Sequence, residues 1–143
     1  MRVHPHLYEI NTWPWLDELS LRAGRRVTLA GVPDREWDRL RQRGIDIVYL
    51  MGIWKRSALG RQIAQSDPSL AGAFDTALPG WTAHDVAGSA YCIAGYEPDR
   101  RIGTWKDLAD IRVKLHARGL QLMVDFIPNH TGLDHPWVQS HPD

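Results

Sequence analysis

The sequence predicts an α/β fold, with parallel strands covered by helices, on three observations. Residues 45–50 (IDIVYL) and 120–126 (LQLMVDF) are nearly continuous apolar runs, the pattern of strands buried on both faces. Each run follows a helix-like segment closed by Arg-Gly, at Arg43-Gly44 and Arg118-Gly119. Glycine suits the left-handed position that ends a helix. Residues 40–52 (LRQRGIDIVYLMG) and 115–128 (LHARGLQLMVDFIP) also resemble each other as whole helix-to-strand units. The order is strand, loop, helix, strand, very long loop, helix, strand, loop, with right-handed crossovers.

The first strand is expected at residues 6–10 (HLYEI), followed by a loop. The next helix starts at Pro33 or Asp34 and turns Trp37 and Leu40 inward. On it, Arg35, Arg39, Arg41 and Arg43 alternate with Asp34, Glu36 and Asp38, which reads as a solvated face. The loop over residues 52–103 is far longer than the roughly 15 residues beyond which unstructured connections become rare. It carries aromatic and apolar residues throughout and room for one short helix near 56–65, so it reads as a structured excursion that builds a site. It leaves from the C-terminal end of a strand, where α/β sheets place their sites. The second long helix opens on Thr104 with Asp107 three residues on, a capping-box pattern. Trp105, Leu108, Ile111 and Leu115 then form one apolar stripe. After Pro128 nothing in the sequence covers or pairs the third strand, so the sheet reads as unfinished and the chain as cut before a fourth strand.

Composition narrows the function. Lys plus Arg and Asp plus Glu are 17 each, which argues against nucleic acid or an anionic membrane as partner. Cys92 is the single cysteine, so an intrachain disulfide and a cysteine-rich zinc site are excluded. The start of the chain has no signal-peptide core and no run reaches membrane-spanning length, so a cytoplasmic setting is expected. Seven tryptophans, among them Trp54, Trp81 and Trp137 in turn-rich segments, serve either as platforms for flat apolar ligand faces or as packing under loops.

Chemistry gathers in QLMVDFIPNH, residues 121–130. A lone carboxylate, Asp125, closes an apolar strand, although an unpaired buried charge costs several kcal/mol on the order of magnitude known for such groups. Pro128 stops the strand, and Asn129 and His130 follow where it gives way to its loop. A carboxylate, a carboxamide and an imidazole at the C-terminal end of a parallel strand fit a binding or catalytic rim. On spacing alone, Asp125 as a loop cap and His130 as a surface histidine fit equally well.

Aspartate, three residues, then Asn-His after an apolar strand resembles the first conserved region of the α-amylase family of glycoside hydrolases (family 13). LYEINTWPWL is similar to that family's first strand, LRQRGIDIVYLMGI to its second, and residues 88–138 to the loop, helix, third strand and following loop. The resemblance implies that residues 1–143 are the N-terminal part of a (β/α)8 TIM barrel, roughly its first three strands with a long loop after strand two. It implies a retaining glycosidase acting on an α-glucan or α-glucoside, hydrolysing or transferring the glycosyl group through a covalent intermediate. Asp125 would hold an arginine from the fourth strand, His130 would hydrogen-bond the sugar, Tyr91 would stack on the same ring, and Asn129 would ligate a structural calcium; no cofactor is required. Gly95-Tyr96, Cys92 and Ala90 depart from the family's usual residues and bear on substrate preference.

A retaining glycosidase needs two carboxyl groups about 5–5.5 Å apart. None of Asp17, Glu18, Asp85, Glu97 or Asp99 lies in a matching motif, while Asp134 and His135 shape the loop after strand three. The 143-residue chain is therefore expected to bind sugar without breaking the bond. Two other readings stand beside this one. A metal-dependent hydrolase is prompted by His4-Pro5-His6, but that pair precedes the first strand. A non-catalytic carbohydrate-binding or interaction module is the other.

Overall fold

The computed structural model describes residues 2–141. Five strands and six α-helices follow in order: β1 (Leu7–Asn11), α1 (Thr12–Ala23), a 3-10 turn (Leu29–Gly31), α2 (Asp34–Gln42), β2 (Ile47–Met51), β3 (Trp54–Arg56), α3 (Ala58–Ser66), α4 (Pro68–Ala77), β4 (Ile93–Pro98), α5 (Trp105–His116), β5 (Gln121–Val124) and α6 (Pro136–Ser140). They fall into two compact units, one drawn from Met1–Trp54 and Glu97–Phe126, the other from Lys55–Tyr96 and Ile127–Asp143.

The first unit is α/β. Its sheet has the order β1-β2-β5, both pairings parallel, with Ile10 opposite Leu50 and Leu50 opposite Val124. Ile10, Val48 and Leu50 share a buried face of this sheet. Leu16 and Leu19 of α1, Trp37 and Leu40 of α2, and Leu108, Ile111 and Leu115 of α5 also belong to the core. Expected full burial of both strand faces is corrected here: on the other face Tyr49 is half-buried and Met123 is exposed.

Local chemistry explains most of the helices. Thr104 and Asp107 form the expected capping box of α5, each side chain taking the other's backbone N–H. Trp105 departs from the expected stripe: it is exposed, and its ring lies 5.7 Å from that of Trp54. Helix α1 occupies what reads as a loop. Asn11 gives it no side-chain cap and Pro14 stands in its first turn, so the usual start signal is missing. Proline there removes an N–H that had no intrahelical partner, and Leu16 and Leu19 supply the buried face. Glu36 departs from the solvated face expected for α2. It is buried, with Arg22, Arg35 and Arg39 within 3.5–4.0 Å of its carboxylate. On the same helix Asp38 and Asp34 do pair outward, with Arg118 at 2.6 Å and 3.4 Å.

In the second unit the excursion is more structured than one short helix. It holds α3 and α4, and β3 and β4 form a separate two-stranded sheet. Ser57 caps α3 by accepting the Gly60 N–H, and Asp67 caps α4 by accepting that of Ser69. Val86, Ile93 and Ile127 are its buried aliphatic residues. No helix among the described residues is long and apolar enough to cross a membrane.

Candidate functional site

Asp125 lies at the C-terminal edge of the parallel sheet, one residue beyond β5, and is 5% exposed. Its partners come from the end of β2. The Tyr49 hydroxyl donates to Oδ1, and the Gly52 N–H donates to Oδ2 at 2.6 Å. The Trp54 indole N–H donates to the Asp125 carbonyl at 2.9 Å. Gly52 has φ of 76°, a left-handed turn that aims its N–H at the carboxylate and that a side chain would strain. A carboxylate with donors on both oxygens is not an orphan, which explains how the strand tolerates it. The resemblance implies an arginine from the fourth strand as a partner; within the chain the donors are Tyr49 and Gly52, which stand 76 and 73 residues away and are brought near only by the β2–β5 register.

Tyr91, Asn129 and His130 belong to the second unit, where hydrogen bonds join the segments that carry them. The Ser57 N–H donates to the Cys92 carbonyl at 2.8 Å, and the Gly132 N–H to the Ile93 carbonyl at 2.7 Å. Tyr96 is bound to Ile127 twice, accepting its N–H at 2.7 Å and donating to its carbonyl at 2.9 Å. Ile93 and Gly132 thus join two loops, each two residues from Tyr91 or His130. Glycine is required where these segments touch: a Cβ at Gly132 would lie 2.6 Å from that of Ser57, and one at Gly60 would lie 2.9 Å from the Cys92 sulfur.

Asp134 completes the junction by accepting the N–H groups of Ala58 and Leu59 at the start of α3, at 2.9 Å and 3.2 Å. Burial pushes its pKa up, but the Ser57 hydroxyl and these N–H groups outweigh it and hold the carboxyl below the ordinary 3.8. His135 is buried and caps α6, accepting the Trp137 N–H. Both residues shape the loop, as the sequence predicts. Tyr91 is 42% exposed, with its backbone N–H on the Ser89 hydroxyl at 3.2 Å. Asn129 and His130 are exposed. A phenol ring, an imidazole and a carboxamide are thus available to a ligand on braced loops.

Four of the other carboxylates have structural partners. Asp17 pairs with Arg101 at 3.3 Å, Glu18 with Arg22 at 3.8 Å, Asp85 accepts from Thr82, and Asp99 accepts the Arg101 N–H. His6 precedes β1, and its N–H donates to Asp46 at the N-terminal edge of the sheet. Among the described residues there is no group of three His, Cys, Asp or Glu side chains able to hold a metal. Calcium takes 6–8 oxygen ligands, of which Asn129 offers one side-chain oxygen, so these residues alone do not fit a calcium site.

Residues 28–143 match the model of the alpha amylase catalytic domain. The mouse (Mus musculus) amino acid transporter heavy chain SLC3A1 is 50% identical over 44 residues, 31% of this chain and 6% of that protein. The Bacillus subtilis (strain 168) protein named probable oligo-1,6-glucosidase 2 is 46% identical over 38 residues, 27% of this chain and 7% of that protein. In fold, the chain is similar to an alpha-amylase from Lactobacillus plantarum, with a TM-score of 0.64 and 23% identity, covering 96% of this chain and 26% of that one. The chain thus spans less than a tenth of these curated relatives and about a quarter of the solved enzyme. A family model that covers most of the sequence, and a fold shared over nearly all of it, give one conclusion: the chain belongs to the alpha-amylase catalytic-domain family.

Proposed function

We propose that residues 1–143 are the N-terminal part of a (β/α)8 catalytic barrel, with β1, β2 and β5 as its first three strands. The protein they belong to is a retaining glycosidase that hydrolyses or transfers α-glucosidic bonds of an α-glucan or α-glucoside. This chain contributes sugar binding. The Tyr91 ring stacks on the apolar C–H face of the pyranose, and the His130 imidazole hydrogen-bonds a hydroxyl on its rim. Asp125 supports the active site by holding a cationic side chain. A carboxylate offers about four lone-pair sites, and Tyr49 and Gly52 use two of them. The nucleophile and the general acid/base are not among these residues, since none of Asp17, Glu18, Asp85, Glu97 and Asp99 lies in a matching motif. Calcium at Asn129 would draw most of its ligands from outside this set, and no step depends on it.

One observation carries the reading: Asp125, Asn129 and His130 follow a third parallel strand, in a family whose model covers the motif. A titration of the 143-residue protein with maltose, followed by amide and ring NMR shifts, tests it. Shifts confined to Tyr91, His130 and their neighbours, with no turnover of maltose or starch, are expected. Turnover abolished by replacing one of the chain's own carboxylates refutes the inactivity, and unmoved Tyr91 and His130 signals refute the sugar contact. A second reading, a non-catalytic interaction module, is favoured by the similarity to a transporter heavy chain. It predicts that a complete polypeptide carrying this chain leaves every α-glucoside intact.

A further inference from the structure

The second unit holds a cavity of about 440 Å3 between α4 and the loop that returns to β4. Its walls include Leu70, Phe74, Leu78, Trp81 and Val86. The Phe74 and Trp81 rings meet edge to face with centroids 5.0 Å apart. The indole N–H is already used, donating to Asp75 at 2.8 Å. Asp85, the one charged group of the lining, accepts the Thr82 N–H and hydroxyl at 2.8 Å and 2.9 Å. The cavity is therefore apolar in chemistry as well as in residue type. Its loop is braced from behind: Arg61 donates to the Val86 carbonyl at 2.7 Å, Arg56 to that of Gly88 at 2.9 Å, and Gln65 to that of Ala83 at 2.6 Å. Such a volume and lining fit a small-molecule site.

What could occupy it follows from where its wall leads. Ser89 lines the cavity, and the same residue accepts the Tyr91 N–H on its hydroxyl and the Cys92 N–H on its carbonyl. The cavity wall and the turn that presents Tyr91 are thus one piece of chain. A free saccharide would lose hydrogen bonds on entering so apolar a space, whereas an alkyl or aryl group would not. We propose that the cavity receives the apolar aglycone of an α-glucoside whose sugar is held at Tyr91, so that alkyl and aryl α-glucosides are the preferred ligand class. The inference rests on the sugar-binding role given to Tyr91 above.

Calorimetric titration of the protein with 4-nitrophenyl α-glucoside, methyl α-glucoside and 4-nitrophenol tests it. Burial of the ring predicts that the nitrophenyl glucoside binds about tenfold or more tightly than the methyl glucoside. Filling the cavity from α4 with Ala77→Trp, or from α3 with Ala64→Leu, brings that ratio down towards one, with circular dichroism confirming the fold. A ratio near one in the unaltered protein, or an undiminished ratio in both variants, overturns the inference. Binding of 4-nitrophenol with neither glucoside recognised refutes the sugar role of Tyr91 while leaving the cavity as an apolar site, so the two failures are distinguishable.

Discussion

Asp125 shows how a single polar group can be read from sequence yet explained only by structure. Its type and place, a carboxylate at the end of an apolar strand, are visible in the chain. Its partners are not, because Tyr49 and Gly52 become neighbours only through the pairing of β2 with β5. Tyr49 in particular reads as one more apolar strand residue. Removing its hydroxyl leaves a buried carboxylate with one donor fewer. Hydrogen bonds to charged groups contribute about 1.5–3 kcal/mol, so Tyr49→Phe is expected to lower stability by that amount in denaturant unfolding. A loss under about 0.5 kcal/mol, the usual size for an incidental surface change, shows that the contact carries little.

At the level of elements, sequence succeeds where capping is local and fails where it is remote. Thr104 and Asp107 announce α5 because both halves of the capping box lie within three residues. The start of α3 is held partly by Asp134, 76 residues away, which no local pattern reveals. That contact makes a pH prediction. The carboxyl of Asp134 is held below 3.8 in the folded chain, so the folded state favours its ionised form. The stabilisation is fully present above 3.8 and is lost as pH falls through the lowered value. The difference in thermal midpoint between the unaltered protein and Asp134→Asn should be constant above about pH 5 and shrink below 3.8. A difference that grows on acidification contradicts the assignment. Helix α1 fails to announce itself for the opposite reason: proline in its first turn and an uncapped start hide an otherwise ordinary amphipathic helix.

Across the molecule, the three-stranded sheet of the first unit bears on solution behaviour. Among the described residues β1 and β5 are each paired on one side only, so each presents a row of backbone donors and acceptors. Leu7, Tyr8 and Met123 are exposed on the same two strands. With 17 charges of each sign, no net charge opposes association. Such edges pair with further copies. Sedimentation velocity should show an average mass that rises with concentration and a weaker rise in Met123→Lys. A monomer at every concentration rules out pairing through these strands.

The α/β class, the succession of three apolar strands along the chain, the capped helix α5 and the motif from Asp125 to His130 are legible in the sequence alone. Each of these rests on periodicity, caps or residue type within a few positions, and such signals need no folded partner. Folding in three dimensions adds that Tyr49 and Gly52 hold Asp125, that Asp134 pins α3, that Glu36 sits among three arginines, and that the excursion forms an apolar cavity. Those depend on strand register and on contacts between residues mostly far apart in the chain, and neither is encoded in any short window of sequence.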